Sequence, residues 1–233
     1  MSNYVVSNDR FRQTVEMKKI YLGSGSQTQT KRDQGFVTVD FDARYKPDVL
    51  WNLDEHPYPF NDNSIDYIEA FHVIEHLTDV DAFMQDLWRI CKHDAKIKLM
   101  YPHISRVMAT GFGPKDKHRT AIPMRLLDRY SVGEGFKEEW KFTYESIRFE
   151  WLRSDVPPHP KAKHKGKWYA EALNGFISWL GNINITATDR VLAYWFGGFD
   201  NIILECRVNK QVSWAKPMQR DVEKRSVQYS ASF

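Results

Sequence analysis

The chain is expected to fold as an α/β protein built on a doubly wound, mostly parallel sheet of about seven strands with an antiparallel edge pair. Three features lead there. Short β-rich runs recur through the first hundred residues, each closed by glycine, a polar residue or proline. An amphipathic helical pattern lies between the fourth and fifth of these runs. Two more β-rich runs come late, after a long irregular stretch.

Lys19–Gly23 (KIYLG) is an apolar run ending in glycine, a buried strand that reaches a turn. Gln27–Asp33 is polar and reads as a loop or one short turn. Phe36–Phe41 (FVTVDF) alternates and is rich in β-formers. Asp48–Leu53 (DVLWNL) is a third strand, and the loop His56–Ser64 follows with two prolines and two asparagines. Ile65–Phe71 is the fourth strand. In Val80–Lys92, Val80, Phe83, Met84, Leu87, Trp88 and Cys91 recur at helical spacing, which predicts a helix packed on the sheet. Lys96–Tyr101 (KIKLMY) is the fifth strand, stopped by Pro102. Pro123–Tyr130 reads as a short helix with proline at its first position. Ile147–Leu152 and Asn201–Val208 supply the antiparallel pair, and the aromatic stretch Trp168–Phe196 is helical in part.

The chain has 233 residues, which suits one large domain over residues 1–210 and a tail over 211–233 that lacks periodicity. A formal charge of +3 is too small to imply nucleic-acid binding by itself. The count of two cysteines, Cys91 and Cys206, argues against a disulfide framework or an all-cysteine zinc site and fits a reducing compartment. The first residues hold no uninterrupted apolar core, and no run approaches the roughly 20 apolar residues that cross a bilayer. A cytoplasmic protein without a membrane span is expected.

The chemistry concentrates where strands end, because ligands of open α/β sheets sit outside those carboxyl ends. After the first strand comes Leu22-Gly23-Ser24-Gly25, where two glycines permit a tight turn and close approach of a ligand. Free N–H groups in such a turn can take a carboxylate. Thr28 interrupts a full dinucleotide fingerprint. Asp40 ends the second strand and can accept from ribose hydroxyls; its plainer role is a solvated strand end. Asn52 and Leu53 close the third strand, where an amide can bond an adenine edge, or Asn52 can bond its own backbone. His72 ends the fourth.

These segments, in order, resemble the class I S-adenosylmethionine-dependent methyltransferases of the small-molecule, type 11-like group. Ile20-Tyr21-Leu22-Gly23-Ser24-Gly25-Ser26-Gln27 is similar to that family's first-strand motif. Asp40 matches its second-strand acid. Pro47–Leu53, Tyr58–Asp66 and His72-Val73-Ile74-Glu75-His76 match its later motifs. The match is close over residues 18–104 and loose over 105–210. Tyr21 stands where the family has an acid, and Gln27 replaces the third glycine. The resemblance implies a Rossmann-like fold and S-adenosylmethionine as cofactor. Leu22, Gly23, Ser24 and Gly25 are expected at its methionine end, Asp40 and Phe41 at the ribose, Asn52 and Leu53 at the adenine, and His72 near the reactive methyl. Catalytic candidates are His72, His103 at the end of the fifth strand and His118 in the KDKHR loop, each able to take a proton from an O or N acceptor. Residues 104–198 would form the acceptor-side region.

Other readings attach to the same residues. H-x-x-E-H (His72, Glu75, His76) on a helix would put two histidines on one face, as zinc hydrolases require. Against that, Ile65–Phe71 reads as a strand that would leave His72 at a helix entrance, and Glu75 and His76 suit a first helical turn. A non-catalytic scaffold that keeps the fold would explain Tyr21 and Gln27. The basic run Pro157–Tyr169 can dock a phosphate-bearing acceptor or nucleic acid, although a solvated loop is the preferred reading. The partner is thus a small-molecule or biopolymer acceptor, and homo-oligomerisation is compatible with the aromatic 168–199 segment.

Overall fold

The computed structural model describes residues 17–105, 119, 121–130, 141–151, 168–195 and 198–212. Its single sheet has seven strands: β1 (Lys19–Leu22), β2 (Phe36–Asp40), β3 (Val49–Leu50), β4 (Ile65–Phe71), β5 (Cys91–Pro102), β6 (Phe142–Glu150) and β7 (Asn201–Val208), in the order β3-β2-β1-β4-β5-β7-β6. The first five are mutually parallel, and β7 runs antiparallel between β5 and β6. This is the mostly parallel sheet with an antiparallel pair that the pattern predicted. The order reverses at β1, between β2 and β4, which opens a crevice at their carboxyl ends.

Helix α1 (Thr28–Asp33) replaces the loop or short turn expected there, and α2 (Val80–Ile90) buries Phe83, Met84, Leu87 and Ile90. The Asp79 side chain caps α2 by accepting from Ala82 N–H at 2.9 Å. Several boundaries differ from the sequence reading. Helix α2 stops two residues early because β5 begins at once with Cys91, and a register shift in the β4–β5 pairing absorbs His93–Ala95. Strand β3 keeps only two residues, and its pairing with β2 ends at the bond from Trp51 N–H to Asp40 O at 2.9 Å. Strand β6 starts five residues before Ile147. A 3-10 turn, Leu126–Tyr130, lies beyond Pro123 instead of opening on it.

The two sheet faces differ over β5, β7 and β6. One face packs Ile97, Leu99, Tyr101, Ile202, Leu204 and Cys206 into the core. Burial there pushes the Cys91 and Cys206 thiols well above their ordinary range, so both act as apolar core groups. The other face carries an ion-pair ladder: Lys96–Glu145 at 3.5 Å, Arg207–Glu145 at 2.5 Å, Lys98–Glu205 at 3.7 Å and Arg148–Glu205 at 3.0 Å. Those charges hide the period of 2 from a search for apolar residues.

Under α1 the sheet face is aromatic and holds one buried ion pair. Lys31 Nζ lies 2.5 Å from Glu69 Oε2 and 4.4 Å from the Tyr21 ring centroid, with Phe71 alongside at 5.1 Å. Tyr67 donates to Glu69 Oε1 at 2.8 Å. This pair fixes α1, and with it the glycine turn that leads into α1.

The free edge of β6 is closed by α3 (Trp168–Ile183). Asn182 accepts from Phe149 N–H and donates to Phe149 O, both at 2.8 Å, and Ser178 Oγ accepts from Trp151 N–H at 3.0 Å. Helix α4 (Ile185–Ala187), a π-helical turn (Thr188–Leu192) and α5 (Ala193–Trp195) then return toward β7. His103 latches this segment to the end of β5. Its Nε2 meets Asp189 Oδ1 at 3.1 Å, and its Nδ1 meets Ser105 Oγ at 2.7 Å and accepts from Ser105 N–H at 3.2 Å.

Two outcomes are expected. Glu69→Ala strands the Lys31 ammonium in an apolar layer and should cost about 3–5 kcal/mol in urea unfolding, whereas Lys31→Met with Glu69→Leu should recover most of that loss. A loss below about 1 kcal/mol for the single change would contradict the clamp. Burial pushes the His103 imidazole below its ordinary value, outweighing the opposite pull of Asp189. The unfolded chain protonates it near pH 6.5 and the folded chain only at lower pH, so the unfolded state binds more protons in that window. Stability should therefore fall as pH drops below about 6.5, and His103→Gln should flatten that slope. An identical slope in the variant would refute the latch.

Candidate functional site

Gly23 sits at φ +67° and Gly25 at φ +46°, so the turn after β1 requires residues that tolerate the left-handed region. A Cβ on Gly23 would stand 2.4 Å from Val73 Cγ2, which places the turn after β4 directly on the turn after β1. A Cβ on Gly25 meets nothing within 4 Å, so its backbone faces open space.

The N–H groups of this turn are not free, contrary to the sequence expectation. Gly23 and Ser24 both donate to Val39 O, at 2.8 and 3.1 Å, and Gly25 donates to Asp40 Oδ2 at 2.7 Å. Asp40 is buried, and its Oδ1 accepts from Asp42 N–H at 2.8 Å. Asp40 is thus no solvated strand end. It holds the turns after β1 and β2 together, and each oxygen still has a lone pair to offer. Phe41, beside it, is 74% exposed and presents a bare aromatic ring.

The remaining positions divide. Leu22 and Leu53 are buried in the core cluster. Asn52 is exposed; its Oδ1 accepts from Asp54 N–H at 3.2 Å, the local backbone bond weighed above, while Nδ2 makes only a 3.5 Å contact with Glu55. Gln27 is exposed and does not fill the turn. Tyr21 points into the aromatic layer, where Glu69 of the neighbouring strand pairs with it in register. A carboxylate therefore persists one strand away from the missing acid.

His72 lies at the junction expected of it, with φ +55°, a strained conformation for a side-chain-bearing residue. Its N–H donates to Met100 O at 2.8 Å, and its Nδ1 meets Glu75 Oε1 at 3.1 Å. Glu75 is buried, and its Oε2 has no hydrogen-bond partner among the described residues. This corrects the reading of Glu75 as a dipole-complementing first-turn residue. Its role is missed in sequence, where only the i, i+3 spacing to His72 could have revealed it. The stretch after His72 is a 3-10 turn, Ile74–His76, so His72 and His76 do not stand one α-helical turn apart as the zinc reading needs. Among the described residues no group of three or more His, Cys, Asp or Glu converges as a metal cage. His103 has both ring nitrogens engaged, as described, and His118 lies outside the described residues.

A family profile described as a methyltransferase domain matches residues 23–99, about a third of the chain. No curated protein matches it. Among solved structures, a chain from the complex between the Haloferax volcanii Trm112 methyltransferase activator and the proposed methyltransferase superposes with a TM-score of 0.52 at 12% identity, over 86% of this chain and 85% of that one. A proposed methyltransferase from Bacillus halodurans C-125 gives a TM-score of 0.50 at 10% identity, over 86% and 96%. At such identities the likeness is one of fold. Over residues 23–99, then, the chain matches a methyltransferase-domain profile, and its sheet has a Rossmann-like architecture shared with these structures.

Proposed function

We propose that the protein binds S-adenosylmethionine in the crevice formed by the turns after β1, β2, β3 and β4, and methylates an oxygen or nitrogen of an acceptor. The observation that carries this reading is the bond from Gly25 N–H to Asp40 Oδ2. It sets an open glycine backbone and a buried carboxylate side by side at the switch point of the sheet. The residues present fit the cofactor. Open space over Gly25 admits a chain close to the backbone, the spare lone pairs of Asp40 suit the ribose hydroxyls, and Phe41 offers a face for adenine. Asn52 Nδ2 offers a donor to a base edge. Tyr21 and Gln27 leave these features intact, which favours a working enzyme over a scaffold.

When bound, the cofactor supplies a sulfonium methyl group that leaves by in-line displacement. The protein's own part is alignment, exclusion of water and proton transfer. With the Glu75 carboxylate as acceptor, His72 Nδ1 carries the proton and Nε2 is left to act as the base. We assign His72 as the general base for the acceptor and Glu75 as its positioning residue. Acceptor recognition falls to the region 104–198.

Asp40→Ala should weaken binding of S-adenosylmethionine and S-adenosylhomocysteine in titration calorimetry by on the order of 1–3 kcal/mol, with the fold retained. Unchanged affinity would remove the ribose assignment. For turnover, measured as S-adenosylhomocysteine release against a panel of O and N acceptors, His72→Ala should lower kcat by about 10²–10⁴ while cofactor affinity stays near wild type. Glu75→Gln should shift the pH profile of kcat more than its maximum. A His72→Ala variant with full kcat would exclude the base.

A further inference from the structure

The end of β5 holds a second group of chemically capable side chains that methyl transfer does not use. Ser105 Oγ lies 2.7 Å from His103 Nδ1, and His103 Nε2 lies 3.1 Å from Asp189 Oδ1. Hydroxyl, imidazole and carboxylate thus stand in a chain, in the order of a serine hydrolase relay, which is recognised by geometry and roles and not by sequence position. The two ring nitrogens have exchanged places, with Nδ1 toward the serine. Proton positions follow from the partners. An ionised carboxylate only accepts, so Nε2 carries the hydrogen. Nδ1 accepts from Ser105 N–H at 3.2 Å, so its lone pair faces the serine. Ser105 Oγ in turn accepts from Phe199 N–H at 3.2 Å, which leaves its own hydrogen for Nδ1. Burial pushes this imidazole below its ordinary value, so it is neutral and able to act as a base at pH 7.

The fold builds this arrangement from two directions. Strand β5 delivers His103 and Ser105 just past its carboxyl end, where ligands of open α/β sheets bind. The π turn Thr188–Leu192 delivers Asp189, and the buried Thr188 Oγ1 anchors that turn to α3 by donating to Gly181 O at 2.6 Å. The rings of Phe149 and Phe199 pack edge-on around the imidazole, at 5.2 and 6.5 Å between centroids. The His103 side chain is 1% exposed, whereas Ser105 is only half-buried. The relay is therefore sealed at its centre and open at its hydroxyl. Fastening β5 to the π turn needs only the imidazole and Asp189, since Ser105 N–H already gives Nδ1 a donor. Ile104, between the two β5 members, and Val191, two residues after Asp189, are both exposed. These apolar flanks suit a short aliphatic chain.

The geometry points to Ser105 as an acyl-accepting nucleophile, with His103 as its base and Asp189 as the positioning residue, acting on carboxylic esters with a short apolar acyl chain. Ser105 Oγ bonds to the carbonyl carbon while its proton passes to His103 Nδ1 and the carbonyl electron pair moves onto oxygen. Collapse expels the alcohol, which takes that proton, and leaves acyl-Ser105. Water, deprotonated by Nδ1, then releases the carboxylic acid and restores the serine. Phe199 N–H faces the Oγ, while Ser105 N–H is spent on Nδ1, so the oxyanion finds one close donor. A missing donor costs about 10²–10³ in rate, so turnover is slow and covalent capture is the sharper readout. The step needs no S-adenosylmethionine and stands apart from the methyl-transfer reading. A biotinylated fluorophosphonate, which loses fluoride as it bonds to an activated serine, should label the native full chain at Ser105, located by peptide mass spectrometry. 4-Nitrophenyl butyrate should slow that labelling and be hydrolysed. Ser105→Ala should abolish the label, and His103→Gln, with an unchanged circular dichroism spectrum, should slow it by about 10²–10⁴. Asp189→Ala should slow it as well, and Asp189→Glu should restore part of the rate. A native chain that takes no label, a Ser105→Ala variant labelled like wild type, or a folded His103→Gln variant labelled at the wild-type rate would each overturn the inference.

Discussion

The turns after β1 and β2 are tied together by one buried carboxylate. Asp40 sits at the end of β2 and accepts from the backbone of the turn after β1 and from the turn that follows itself. Those two bonds give partly buried N–H groups their partners and join the Thr28 Oγ1–Gly25 O bond in holding the left-handed turn. The same constraint explains why so little is left free near the glycines. Their N–H groups stabilise the turn and leave a close-lying backbone, not a ring of free donors.

The second support comes from the opposite turn. Val73 fills the space that a Gly23 side chain would need, so the β4 turn and the β1 turn are mutually shaped. The positive φ of His72 is retained inside that contact, with its imidazole against the buried Glu75 carboxylate. A strained, well-supported histidine at the head of a central strand is a costly arrangement, of a kind that concentrates at functional positions. At the end of β5, His103 spends Nε2 on Asp189 of the π turn and Nδ1 on Ser105. Two histidines at equivalent strand ends thus have different duties, set by what surrounds each.

The sheet was readable in the sequence because its central strands are buried on at least one face and announce themselves as apolar or alternating runs. Ile65–Phe71 and Asn201–Val208 coincide with the observed strands for that reason. The first part of β6 escaped notice because its outward positions, Thr143 and Glu145, belong to a solvated face. The start of β5 was hidden by a bulge that breaks its alternation. At the site, the sequence pattern located the strand ends but not what the side chains do there. Local bonding decided that Asn52 would accept from the backbone of Asp54. The i, i+3 pairing of His72 with Glu75 needed a particular 3-10 turn, which periodicity does not reveal.

The central claim is that the β1, β2, β3 and β4 turns together make one adenosyl site. Titration calorimetry of the wild-type chain with S-adenosylmethionine tests it most directly. The account predicts saturable binding of one molecule per chain, displaced by S-adenosylhomocysteine and indifferent to added Zn²⁺. Stoichiometric zinc uptake with no heat from either nucleoside would contradict it.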